Sequence, residues 1–291
     1  MLIDVGVNLT SGQFDKDRQD VINRAFQQRV SAMIITATDI EECENALAMA
    51  QQMPDYLACT AGVHPHYAKD VDADYLAKLK QYLTQPNVVA VGECGLDFNR
   101  DFSPRPQQEQ VFIEQIILAG EQCMPLFMHE RDAHQRFLAL YREHAVANQQ
   151  GVVHCFTGTV DEARNYLDMG LYLGITGWLC DERRGQDLRE ALKYIPLERL
   201  LLETDAPYLL PRDLTPKPKS RRNEPAYLMH VARAVASLKN IALEEVLQYA
   251  WQNNIKLFNL TNTALAEVQS EPTTFTQNFT EIINSEHSST S

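Results

Sequence analysis

No apolar run in this chain approaches the roughly 18 residues that a membrane-crossing helix requires. The opening segment, MLIDVGVNL, has no basic stretch leading into a long apolar core, which argues against a secretory signal. None of the six cysteines, Cys43, Cys59, Cys94, Cys123, Cys155 and Cys180, belongs to a C-x-x-C pair. Several stand in apolar runs, so buried, reduced thiols of a cytoplasmic protein are expected. Positive charge is also scarce: 26 Lys and Arg face 39 Asp and Glu, a formal net charge of −13. That excludes a broad basic face coating DNA, but not a small local phosphate site. Acidic clefts commonly hold divalent ions, and a bound ion reverses the local field.

What the chain does have is a rhythm of short apolar runs. They fall at 2–9, 31–38, 56–64, 88–97, 125–132, 151–158, 171–178 and 199–207. Segments with helical spacing lie between several of them. Val21, Ile22, Ala25 and Phe26 share a face in 15–29, as do Tyr75, Leu76, Leu79 and Leu83 in 72–83. Residues 106–123 and 161–170 read the same way, with a helix start at Ser103-Pro104 and a glycine stop at Gly170. Two further helices are expected near 225–239 and 243–260. Strands alternating with helices imply a parallel β/α fold. A (β/α)8 TIM-type barrel over 1–265 is favoured, with a doubly wound open sheet as the alternative. Residues 266–291 are Ser/Thr-rich, lack Lys and Arg, and are expected to form a disordered tail.

Polar residues gather where these runs end. Asn8 closes the first, His64 and His66 the third, Glu93 and Asp97 the fourth, His129 the fifth, His154 the sixth, Glu203 and Asp205 the eighth. In parallel barrels these ends carry the chemistry. Singly, each residue has a dull explanation as a cap or a hydrogen-bonded strand end. Together, two histidines and two carboxylates around one rim make a metal-ligand set. Glu93, His129, His154 and Asp205 are the candidates. Asp205, helped by Glu203, is placed to take a proton from a metal-activated water. The mixed imidazole and carboxylate donors leave Mg2+, Mn2+ and Zn2+ open.

Two loops on the same expected face carry basic residues. CDERRG (180–185) holds Arg183 and Arg184, and PRDLTPKPKSRRNEP (211–225) holds Arg212, Lys217, Lys219, Arg221 and Arg222. They read either as solvated surface or as a phosphate-binding rim. Trp178, Tyr208 and Phe98 are candidates to stack on a base.

GVHPH (62–66), VGECGLDF (91–98), MH (128–129), HCFTG (154–158) and LLETDAPYL (201–209) together resemble the TatD-type metal-dependent deoxyribonucleases, a group of amidohydrolase-like barrels. The likeness spans about residues 2–260, in order along the chain. DVGVNLT, TGWLCDERRG and LLPRDLTPKPKSRRNEP are closer still to the bacterial branch. The resemblance implies a magnesium-dependent 3′–5′ exonuclease acting on single-stranded DNA and sometimes RNA. It assigns metal binding to Glu93, His129 and His154, and a catalytic carboxylate, also a ligand, to Asp205. It sets His64, His66 and Glu203 at the edge of the substrate or metal.

One departure stands out. Most of that family opens with H-x-H on the first strand, whereas the matching positions here are Gly6 and Asn8. One firm metal is therefore expected, with a second, weaker one recruited with substrate. A small-molecule amide or ester hydrolase and an inactive nucleic-acid-binding barrel remain the competing readings. A monomer is expected.

Overall fold

The computed structural model describes residues 1–260. The expected boundary at 265 and the tail beyond it lie outside the described residues. Eight strands alternate with helices in the order β1 (Leu2–Val7), α1 (Arg18–Gln27), β2 (Val30–Ile35), α2 (Ile40–Gln52), β3 (Leu57–Ala61), α3 (Tyr75–Tyr82), β4 (Val88–Asp97) and α4 (Arg105–Glu121). The series continues with β5 (Leu126–Arg131), α5 (His134–His144), β6 (Gly151–Val153), α6 (Val160–Asp168), β7 (Tyr172–Ile175), α7 (Gln186–Tyr194), β8 (Leu200–Leu202), α8 (Leu228–Lys239) and α9 (Leu243–Phe258).

Every neighbouring pair is parallel and the spatial order equals the sequence order. Just past β8 the ring closes onto β1. Val7 bridges Ala206 in parallel, Asn8 N–H donates to Ala206 O at 2.8 Å, and Asp205 N–H donates to Gly6 O at 2.8 Å. A doubly wound sheet would reverse its strand order at a switch point, so the open alternative is excluded. Asp4 strengthens the seam: its carboxylate accepts from Thr204 N–H at 2.9 Å and from the Thr204 hydroxyl at 2.5 Å.

Alternation along each strand divides the core in two. Ile3, Val5, Ile34, Phe127, Val152, Tyr172 and Leu201 fill the barrel interior. Trp251, Leu257 and Phe258 of α9 join that cluster and cover the end of the barrel where the strands begin. The other faces, such as Met33, Val91, Met128 and Leu173, pack under the surrounding helices. Any opening is therefore left to the end where the strands finish. Among the described residues no helix is long and apolar enough to cross a membrane.

Local signals set the helix ends. Thr159 and Glu162 form a reciprocal capping box at the start of α6, and Gly170 follows its end at φ +75°. Pro104, rather than Ser103, caps α4. The Ser103 hydroxyl instead donates to His66 O at 2.8 Å and accepts from Lys69 N–H at 3.1 Å, tying down the loop after β3.

Candidate metal centre

β4 is the longest strand and enters the mouth between β3 and β5. Glycines flank Glu93 because the neighbouring strand leaves no room for a side chain. A Cβ on Gly92 would lie 2.1 Å from Phe127 O, and one on Gly95 only 1.9 Å from His129 O. Their φ values, +149° and +139°, also belong to glycine. The close approach bulges the β4–β5 register between Gly92 and Cys94 and turns Glu93 into the mouth, 5% exposed.

Three imidazoles face the same carboxylate oxygen. Glu93 Oε1 lies 3.1 Å from His129 Nδ1, 3.4 Å from His64 Nε2 and 3.9 Å from His154 Nε2. His154 Nε2 is in turn 3.9 Å from Asp205 Oδ1. The four expected ligands, contributed by β4, β5 and the ends of β6 and β8, thus lie in one continuous cluster. His64, Glu93 and His129 offer ligand atoms all within 4.8 Å of one another, as do His154, Cys155 and Asp205.

Behind the cluster sits Glu203, fully buried. The His154 Nδ1–H donates to its Oε2, and Cys155 N–H donates to its Oε1 at 2.9 Å. The space it occupies comes from two glycines. A Cβ on Gly6 would lie 2.4 Å from Oε2, and one on Gly174 only 1.5 Å from Oε1. Gly6 is thus part of the gap that admits the Glu203–His154 pair. Glu203 was expected among the catalytic groups at the rim, but it does not line the mouth; its geometry suits orienting His154. Asn8 Nδ2 donates to Asp205 Oδ1 at 3.0 Å and so orients that carboxylate.

Asp97 was read only as a strand-end carboxylate. Its Oδ1 accepts from Asn99 N–H and Arg100 N–H, while Oδ2 lies 2.7 Å from His66 Nε2 and 3.4 Å from His129 Nε2. His66 is thereby bound to Asp97, at the rim of the same mouth. His64 differs in its proton. Its Nδ1 accepts from His66 N–H at 3.1 Å, and burial pushes the imidazole down to about 3. The neutral ring therefore carries its hydrogen on Nε2, the atom facing Glu93.

The electrostatics are those of a site waiting for positive charge. Burial opposes a charged Glu93, yet the imidazoles of His64, His154 and His129 outweigh it and hold the carboxyl well below its usual range. Burial likewise opposes the imidazolium of His129, but Asp97 and Glu93 lift it to about 9. For His154, Glu203 and Glu93 overcome the same penalty and lift it to about 10. Burial raises Asp205 to about 7, with Glu93 and Glu203 adding to it against His154. Protons on two imidazoles, buried His154 and partly buried His129, thus supply the charge that a cation would. His129 Nδ1, His64 Nε2 and His154 Nε2 all face Glu93 Oε1, and oxygen and nitrogen donors converge on one spot, so the residues fit a divalent ion.

The mouth opens into a cleft of about 580 Å3, lined among others by Asn8, His64, His66, Arg100, Arg131, Trp178 and Tyr208. Arg100 and Arg131 are the basic groups that sequence reasoning missed. Arg131 had a readable signal, standing two residues after His129 on the same strand and so on the same side. Trp178 joins this cleft to a second of about 640 Å3 that includes Phe98 and Arg184. The Arg184 guanidinium lies 4.2 Å from the Trp178 ring centroid.

The expected basic rim is arranged differently. Arg183, Arg184 and Arg212 all point to buried Asp181, at 3.6, 2.9 and 3.8 Å. Arg222 is committed elsewhere, with both guanidinium nitrogens 2.7 Å from the Asp17 carboxylate, a further bond to Glu224, and Phe14 beneath it. Arg221 is exposed. Neither Arg221 nor Arg222 lines the cleft, because the ion pairs with Asp17 and Glu224 hold this part of the loop against the start of α1.

The sequence profile described as TatD related DNase matches residues 3–259, nearly all that the structure describes. The chain belongs to the TatD-related DNase family. A relative from Erwinia tasmaniensis named 3′-5′ ssDNA/RNA exonuclease TatD is 50% identical over 259 residues, 89% of this chain and 100% of that protein. One of the same name from Citrobacter koseri is 54% identical, covering 81% of this chain and 90% of its own length. Among solved structures, a TatD family hydrolase from Entamoeba histolytica superposes with a TM-score of 0.82 at 29% identity, covering 88% of this chain and 97% of that one. YjjV, a TatD homologue from Escherichia coli K12, gives 0.80 at 28% identity, covering 89% and 98%. The TatD barrel is thus the barrel seen here.

Proposed function

We propose that this chain is a metal-dependent exonuclease that hydrolyses phosphodiester bonds of single-stranded DNA, and of RNA, from the 3′ end. Polarity and substrate are supported by the name of relatives that share half its residues over nearly the whole barrel. Within the chain, one observation carries the reading: Glu93, His129, His154 and Asp205 form a single cluster at the open end of the barrel.

In this reading those four side chains hold one divalent ion, Mg2+ first and Mn2+ next, with Zn2+ also compatible with the imidazoles. When bound, the ion would offset the charge of the scissile phosphate and acidify a nearby water. The remaining work falls to the protein. Asp205, fixed by Asn8, accepts the proton of the attacking water. Glu203 keeps His154 in one orientation. His64 stays neutral with its Nε2–H toward Glu93, while His66, held by Asp97, edges the substrate. Arg100 and Arg131 meet flanking phosphates, Arg184 extends that contact beside Trp178, and Trp178 and Tyr208 offer faces to bases.

The test is digestion of single-stranded oligonucleotides labelled at either end, with Mg2+, Mn2+ or Zn2+. A 3′ label should be released at once as mononucleotide while a 5′ label shortens stepwise. Loss of all cleavage in Glu93→Ala and His154→Ala is expected; undiminished cleavage by both, in preparations free of other nucleases, would overturn the assignment.

A further inference from the structure

A second group of metal-binding side chains lies away from this mouth. Cys180, Asp213 and His230 offer Sγ, a carboxylate oxygen and an imidazole nitrogen that all lie within 4.8 Å of one another. They come from three separate segments: a short 3-10 helix after β7 (Gly177–Cys180), the long loop after β8, and α8. Cys180 is 1% exposed, while Asp213 and His230 stand above it nearer to solvent. His230 Nε2 is hydrogen bonded to Asp213 Oδ1 at 2.7 Å.

We propose that Cys180, Asp213 and His230 form a structural site for a thiophilic divalent cation of the zinc class, distinct from the mouth of the barrel. The donor types decide the class. A thiolate and an imidazole with one carboxylate select zinc or cobalt over magnesium, which prefers oxygen alone. The geometry is within reach. Around tetrahedral zinc, neighbouring S, N and O ligands stand about 3.3–3.6 Å apart. The three ligand atoms already lie within 4.8 Å of one another, so the shifts needed are small, with the His230–Asp213 pair opening from 2.7 Å. One proton now holds that pair together; the cation takes its place, leaving the neutral imidazole with its hydrogen on Nδ1, and the thiol releases its own proton to solvent. Water completes the fourth position on the exposed side.

The position gives the site a purpose. The helix bearing Cys180 also bears Trp178, and the loop bearing Asp213 begins beside Tyr208 and Leu209; all three of these line the cleft. An ion at this point would clamp both loops to α8 and fix one wall of the cleft. It would also anchor the segment that carries Lys217, Lys219 and Arg221.

The probe is Co2+ added to the full chain, read by its thiolate-to-cobalt charge-transfer absorption in the near ultraviolet. One equivalent of this band is expected, displaced by Zn2+ and not by Mg2+. Cys155 is the competing thiol, beside the mouth. The band should survive Cys155→Ser and be lost in Cys180→Ser. His230→Ala and Asp213→Asn, with circular dichroism as the check on folding, should weaken it. As an independent reading, Zn2+ should slow trypsin cleavage after Lys219 and Arg221 several-fold in the native chain and not in His230→Ala. No band, a band lost with Cys155 in place of Cys180, or zinc-independent cleavage would each overturn the proposal.

Discussion

The imidazole of His154 donates a hydrogen bond from Nδ1 to the buried carboxylate of Glu203, inside a gap left by Gly6 and Gly174. Its other nitrogen faces Glu93 and Asp205. One side chain thus fixes the direction in which another presents its lone pair.

If Glu203 acts through His154, Glu203→Gln should weaken divalent-ion affinity by about 10–100-fold, as loss of such a partner typically does. The maximal rate at saturating metal should fall less. Calorimetric titration beside the metal dependence of cleavage separates the two. Gly174→Ala should be more damaging, because the new methyl would collide with Glu203 Oε1. Its melting temperature should fall along with ion binding.

Ion binding should release protons. In the absence of a cation His129 and His154, raised to about 9 and 10, carry protons at neutral pH, and Asp205, raised to about 7, is partly protonated. A cation must displace those on the ligating atoms, so apparent affinity should climb as pH rises from about 6 to 9. Calorimetry in buffers of different ionisation enthalpy counts the protons. Zero release at pH 7 would contradict this electrostatic account.

Asp4 makes stability depend on pH in the opposite sense to a salt-bridged carboxylate. Burial raises its pKa from the usual 3.8 to about 7, against the hydrogen bonds from Thr204. Between these values the folded chain binds more protons than the unfolded one, so stability falls as pH rises from about 4 to 7 and then levels. Asp4→Asn should remove this component. The melting-temperature difference between the native chain and the variant should shift in favour of the variant across that window, and a difference independent of pH would contradict it.

Arginines divide by position. Arg131→Ala should raise KM for single-stranded DNA and reduce the salt dependence of binding, since Arg131 lines the cleft. Arg222→Ala should leave KM unchanged and lower stability by about 1 kcal/mol, because its guanidinium bridges Asp17 and Glu224 near the surface. Cleavage kinetics and urea unfolding of both variants distinguish the two roles.

The barrel was legible because each strand is a short apolar run, and the ligand set because six of the eight runs end in the polar groups named above. Two of those runs extend well beyond the paired residues: β6 and β8 pair over only three each, and the chain then leaves the sheet to shape the mouth. Closure depends on Val7 meeting Ala206, a contact across 199 positions that no local pattern encodes. The place of Glu203 depends on glycines 168 residues apart, at 6 and 174. Arg222 misled for the same reason. A run of basic residues reads as a phosphate rim until Asp17, 205 positions away, is found against it. The α2, α5 and α7 helices were not singled out. Gln186–Tyr194 places Leu188, Ala191 and Leu192 on one face, a signal that was present in the sequence.

The most direct measurement is Mn2+ binding followed by paramagnetic resonance on the same samples used to follow 3′ cleavage of single-stranded DNA. The native chain should bind the ion tightly and cleave, and Glu93→Ala should lose both together. A Glu93→Ala protein that still binds Mn2+ and still cleaves would show that the cluster at the barrel mouth is not where the reaction takes place.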